Sequence, residues 1–200
     1  MFEGLKGQVI SILYFSWPTV VMGAIIAILL RVTYLIVNRE KFVIHEELLK
    51  LSFIIYILCL FYVVTFQDVT WSGHNYVPFK EILRYDFGSA LFYKNIFGNV
   101  LLFVPYGILI AKYVKLDKTL VVILLGFLTS LSVEVIQFLI GRVFDVDDIL
   151  LNVLGTLIGY LMYVIFKKFS NKLPKFFHKD IFWDVLSIII LGGLIWFLIP

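Results

Sequence analysis

Apolar runs of roughly twenty residues recur along the chain, each broken by a short polar or charged stretch. About twenty apolar residues, wound as an α-helix, cross the hydrocarbon layer of a bilayer. The pattern predicts six such helices, over 17–37, 48–66, 96–114, 119–140, 149–166 and 181–199, the third and fifth a little short. Ahead of the first, "MFEGLKGQVISILYF" spaces Phe2, Leu5, Val9, Ile12 and Leu13 three or four apart. That spacing suits a short helix lying in the membrane interface, and equally an extension of the first span. With Lys6 as its one early cation and no small-residue cleavage site after the apolar run, the segment does not read as a cleaved signal.

The polar positions inside the runs are not scattered. In "SLSVEVIQFLI", Ser130, Glu134 and Gln137 fall four and three apart, on one helix face. A carboxylate such as Glu134 costs ~2.5–3.5 kcal/mol near a helix centre on insertion scales, so it is expected to face the bundle interior and find a partner. In "NIFGNVLLFVPYG", Asn95 and Asn99 form a second polar face, Pro105 removes a helical hydrogen bond, and Gly98 and Gly107 permit close backbone approach. In "GRVFDVDDILLNVLGTLIGY", Asp148 and Asn152 are four apart, and Gly155 and Gly159 have the spacing at which another helix packs tightly. Three helices thus bring carboxylates, amides and the Arg142 guanidinium to a common depth, as one wall of a polar pocket. A structural reading stands beside this one. Asp147 or Asp148 suits the N-cap of the fifth helix, and Arg142 suits pairing with Glu134 or Asp145.

Composition agrees with the pattern. The chain is 62% hydrophobic and 16% charged, with mean hydropathy +1.00, whereas soluble domains carry about 25% charged residues. The expected fold is all-α: a polytopic integral membrane helical bundle of about six transmembrane helices. Cationic residues near the span ends orient it. Twelve of them (Arg31, Arg39, Lys41 and Lys50; Lys112, Lys115 and Lys118; Lys167, Lys168, Lys172, Lys175 and Lys179) share one side, against Lys6, Lys80, Arg84, Lys94 and Arg142 on the other. Both termini are therefore expected outside, with the polar wall opening outward. The basic segment 167–179 reads as a topology signal that also touches anionic lipid, not as a nucleic-acid site. His45 and His178 are expected at the surface, Asp184 as a helix N-terminal charge, and Cys59 as a packing residue in the second span. The outer segment "WSGHNYVPFKEILRYDFGSALFY" offers His74 and a set of aromatics that suit a lid resting on the membrane surface.

Four motifs in register, "NYVPFKEI", "NIFGNVLLFVPYGILI", "SVEVIQ" and "GRVFDVDDILLNVLGTLIGY", resemble the VanZ family of bacterial membrane proteins. The family pattern falls on Asn75, Pro78 and Phe79; on Asn95, Asn99, Pro105 and Gly107; on Glu134 and Gln137; and on Arg142, Asp145, Asp148, Asn152 and Gly155. The likeness divides the chain into an N-terminal segment and first helix (1–52), a VanZ-like core (53–169), and a basic loop with the last helix (170–200). It implies a multi-pass protein of the bacterial cell membrane. It also implies low-level resistance to teicoplanin, a lipid-anchored glycopeptide antibiotic, and kinship with membrane enzymes that exchange or remove lipid head groups.

Two readings follow. As a head-group transferase or hydrolase, the pocket would take a phospholipid or polyprenyl-phosphate, with Arg142 on a phosphate oxygen and the partly desolvated Glu134 as general acid or base. Asp145 and Asp148 would orient a nucleophile or hold a divalent cation, the one cofactor considered. Asn95, Asn99, Gln137 and Asn152, with Asn75 from the loop, would bind the head group. No Ser–His or Cys–His pair stands in the pocket, which disfavours a covalent hydrolase. The alternative is non-enzymatic binding of an outer-leaflet lipid or the antibiotic itself. A transporter fits less well, because the polar residues gather at one side and no inverted repeat is evident. The oligomeric state is not read from the sequence.

Overall fold

In the computed structural model, which describes residues 2–66, 73–113, 118–172 and 174–198, the apolar runs are helices: α1 (Phe2–Asn38), α2 (Ile44–Phe66), α3 (Ala90–Tyr113), α4 (Thr119–Leu139), α5 (Val146–Phe169) and α6 (Asp180–Leu198). Val114, Lys115 and Ile199, named above, lie outside the described residues. Among the described residues, four segments are long and apolar enough to cross a membrane by length and composition: Val21–Asn38, α3, α4 and α5. The architecture is an all-α, membrane-type helical bundle, with no strand among the described residues. The N-terminal stretch forms no separate interfacial helix; its backbone is continuous with α1 from Phe2.

The chain divides into two compact units, Met1–Asp68 with Lys172–Pro200, and Val69–Asn171. In the first, α2 packs against α1 and α6. Ile55 and Cys59 are buried among Ala24, Leu51, Leu58 and Leu191, so Cys59 is a packing residue as expected. Charged groups tie one end of this unit. Arg31 donates to both carboxylate oxygens of Glu47 at 2.7 and 2.9 Å, and Lys50 donates to Glu47 at 2.7 Å. His45 is not a free surface residue: its backbone N and its Nδ1 both meet Asp184 Oδ1, at 3.1 and 2.9 Å. His178 is exposed, as the sequence predicts.

The second unit is built on glycine. α3 and α5 run parallel and so close that a Cβ at Gly155 would lie 2.2 Å from the Val100 carbonyl oxygen, and one at Gly159 2.0 Å from that of Val104. Gly107 returns the contact, 2.0 Å from the Thr156 oxygen. The Gly-x-x-x-Gly pair thus packs as its spacing predicts. Gly98 does not share in this; nothing lies within 4 Å of its would-be Cβ. α4 lies against α5, where Gly126 admits the Thr156 side chain. It ends in a Schellman turn: Gly141, at φ 83°, donates to the Phe138 oxygen at 3.0 Å, and Arg142 N donates to the Gln137 oxygen at 2.9 Å.

Candidate functional site

The turn after Gly141 delivers Arg142 and then Asp145, whose carboxylate accepts from Asp147 N at 2.9 Å and is the N-cap of α5. The helix therefore starts at Val146, three residues earlier than its hydropathy predicts, and neither Asp147 nor Asp148 is the cap. The Asp-x-x-Asp spacing of 145 and 148 was the local signal for this. Asp147, which the sequence reading assigned no role beyond capping, is 1% exposed and organises the preceding loop. Its Oδ1 accepts from Phe79 N at 2.5 Å; its Oδ2 accepts from Glu81 N at 2.7 Å and Ile82 N at 3.2 Å. These bonds hold a short 3-10 turn, Ile82–Arg84, and fix Phe79 at φ 67°, a conformation that costs a bulky residue ~1–3 kcal/mol.

Asn75 completes the seam. It forms an isolated parallel bridge with Asp145, Asn75 N donating to the Phe144 oxygen at 2.8 Å and Val146 N to the Asn75 oxygen at 3.0 Å. Its side-chain amide donates to Asp145 at 2.8 Å and Asp147 at 3.4 Å, and its oxygen accepts from Val77 N at 3.1 Å. A side chain 2% exposed and so fully engaged positions the loop; it has little left for a ligand. His74 is exposed, and its Nδ1 accepts from Phe144 N at 3.1 Å.

Inside this seam lie the other predicted residues. Ser130, Glu134 and Gln137 share the buried face of α4, at 0, 1 and 5% exposure. Glu134 Oε2 accepts from Asp145 N at 2.9 Å, so the carboxylate touches the cap of α5 directly. Asn99 donates a short hydrogen bond to Asp148, joining α3 to α5. One turn deeper, Asn152 donates to Ser130 Oγ at 2.9 Å, and its buried Oδ1 has no hydrogen-bond partner among the described residues. The charge of Arg142 acts on both Glu134 and Asp148. A π turn, Tyr93–Phe97, carries Asn95, which bonds the Tyr85 side chain. Burial pushes the Tyr85 hydroxyl above the ordinary phenol range, Asn95 opposes the shift, and Glu81 and Asp148 add to it. Tyr85 and Glu81, from the loop, thus belong to the neighbourhood; Glu81 falls within the "NYVPFKEI" motif, and no sequence signal marks Tyr85.

The structure therefore gathers Glu134, Arg142, Asp145, Asp148, Asn99, Gln137 and Asn152, joins Asn95 to Tyr85 beside them, and commits Asn75 to the loop. Among the described residues no three His, Cys, Asp or Glu side chains are grouped to hold a metal ion. Both oxygens of Asp147 and the Oδ1 of Asp145 already serve N–H donors. Burial also raises the Asp145 carboxyl above the usual carboxylate range, against the pull of its Asn75 and Asp147 hydrogen bonds. A raised folded-state value makes ionisation of Asp145 unfavourable to the fold. Its contribution is fullest below the ordinary Asp range and is lost as pH rises through the raised value. Asp145→Asn, which can still cap, is expected to flatten that part of the stability profile. A thermal-midpoint series across pH whose slope is the same in both chains would show that Asp145 does not carry it.

Fold and cluster together define an all-α membrane-type protein with buried carboxylates and amides at one end of three packed helices. The family model described as VanZ/LLP1 matches residues 53–167, more than half of the chain, and the chain belongs to this family. It is similar to Protein VanZ of Enterococcus faecium, 27% identical over 141 residues, which covers 68% of this chain and 86% of that protein. No solved structure matches. The family match begins within α2, whereas the cluster is assembled wholly in the unit Val69–Asn171.

Proposed function

We propose that the chain is a multi-pass protein of the bacterial cell membrane, with both termini outside, whose polar cluster modifies an outer-leaflet lipid head group and thereby lowers teicoplanin susceptibility. The substrate class is a phospholipid or polyprenyl-phosphate. The observation that carries the reading is Glu134: a carboxylate 1% exposed, accepting from the Asp145 N–H, in a helix with no other charged residue, with Asp148 and Arg142 beside it. Such a group is costly in a membrane-type bundle, and intramembrane ionisable residues mark functional sites. In this mechanism Arg142 holds a phosphate oxygen, Glu134 carries the proton to or from the reacting oxygen, and Asp148, oriented by Asn99, fixes the acceptor. Asn152 keeps an unspent acceptor for a head-group donor.

One observation favours the second reading, binding of an outer-leaflet lipid or lipoglycopeptide without turnover. Asn75, Asp147 and one oxygen of Asp145 are spent on the loop and the helix cap, which leaves fewer groups for chemistry. The test is teicoplanin susceptibility of cells expressing the parent chain, Glu134→Gln or Asp148→Asn, at matched membrane abundance and thermal midpoint. Loss of protection in both is expected, with lipid turnover by Glu134→Gln reduced at least ~100-fold, as for removal of a general acid–base group. Protection lost without any change in envelope lipids in the parent would favour the binder. Protection retained in both variants would reject the cluster as the working part.

A further inference from the structure

The loop that Asp147 holds presents its apolar side chains outward. Leu83 is 82% exposed, Phe87 88%, Tyr76 64% and Phe79 57%. Large apolar side chains at that exposure are ordinarily tucked into a neighbouring surface. Asp147 fixes the backbone of Phe79, Glu81 and Ile82, with Phe79 at φ 67°, and although Tyr76 stacks on Phe144 and Phe87 meets Phe92 edge-on, all four side chains stay more than half exposed. The hydrogen bonds to Asp147 offset the left-handed backbone of Phe79, but they do not bury the apolar side chains of this loop, which are left to meet whatever surrounds the protein.

We propose that residues 76–87 form an interfacial anchor, seated in the head-group layer of the bilayer leaflet that meets the N-terminal end of α3. This rests on α3 being a membrane-spanning helix and holds whether the polar cluster catalyses or only binds. Three observations identify lipid as the occupant. The loop leads directly into α3, so it lies where that helix leaves the hydrocarbon. Its outward side chains continue the exposed apolar flank of α3, at Leu91, Tyr93, Phe97 and Leu101. Aromatic residues with nearby cations are the pattern of a membrane–water boundary, and Lys80 and Arg84 are both exposed among these rings. The same Asp147 that fixes the anchor stands two residues from the Asp145 cap, so the anchor sets the depth of the polar cluster.

The test uses the full chain in phosphatidylcholine–phosphatidylglycerol vesicles, spin-labelled singly through Leu83→Cys, Phe87→Cys or Lys80→Cys. Cys59 is buried, and the unsubstituted chain, labelled in parallel, supplies the background. Collisions with oxygen, which partitions into lipid, are expected to exceed those with a water-soluble nickel chelate several-fold at 83 and 87, and the order to reverse at 80. Nickel access at 83 and 87 equal to that at 80 would overturn the proposal. Exclusion of both probes with dipolar broadening would also overturn it, because a second copy of the chain would then cover the loop. Tyr76→Cys provides another position if a label at 83 or 87 lowers the melting temperature of the parent fold.

Discussion

Gly159→Ala is expected to separate α3 from α5 and to abolish whatever the polar cluster does. The added methyl would stand 2.0 Å from the Val104 carbonyl oxygen and 3.0 Å from Ile108 N. Both obstacles are backbone, so no side chain can swing aside, and α3 has to retreat by roughly 1.5 Å to reach ordinary contact distance. Overpacking costs ~1–3 kcal/mol and more where nothing yields, and this site belongs at the upper end. For a chain of this size that is a fall of ~2–4 °C in thermal midpoint per kcal/mol. The retreat also pulls Asn99 from Asp148, which only this crossing brings together. Gly98→Ala is the matched control: it lies in α3, the helix that Gly159 faces, with nothing within 4 Å, and it is expected to gain about 0.5–1 kcal/mol from the better helix former. Equal midpoints for the two variants in detergent would mean the helices do not cross that closely.

Asp147→Ala is expected to release the loop while leaving the helices intact. Three backbone N–H groups lose their acceptor, each worth ~1–3 kcal/mol if it stays buried. The loop escapes that cost by opening to water, and a local loss of only ~1.4 kcal/mol multiplies the open population about tenfold. Trypsin cleavage after Lys80 or Arg84, both exposed, follows that population when opening is fast. The rate is expected to rise at least tenfold on the ~1.4 kcal/mol estimate, with Asp147→Asn between the two because it retains one acceptor oxygen. An unchanged cleavage rate at unchanged melting temperature would show that Asp147 does not hold the loop.

These two residues mark the divide between what was legible and what was not. Gly155 and Gly159 were readable because four-residue spacing puts them on one helix face whatever surrounds the helix. The same is true of Ser130, Glu134 and Gln137, whose common burial follows from periodicity and the cost of a carboxylate in hydrocarbon. The start of α5 was misplaced because hydropathy locates the apolar stretch, and the polar first turn of a helix is invisible to it. By its place in the sequence Asp147 suits a helix cap. Its real acceptor role joins it to N–H groups 65 to 68 residues away, which no local pattern encodes.

By itself, then, the sequence determined the helices, their apolar length and the polar face each presents, because these depend on the 3.6-residue repeat and on the transfer energy of side chains near one another in the chain. The tertiary structure alone decided which polar faces meet. It placed Asn99 on Asp148, set Asn95 on Tyr85, tied His45 to Asp184, and spent Asn75 and Asp147 on a loop. A hydrogen bond between distant residues forms only where packing brings donor and acceptor within about 3 Å, and that distance is a property of the folded bundle, not of the spacing along the chain.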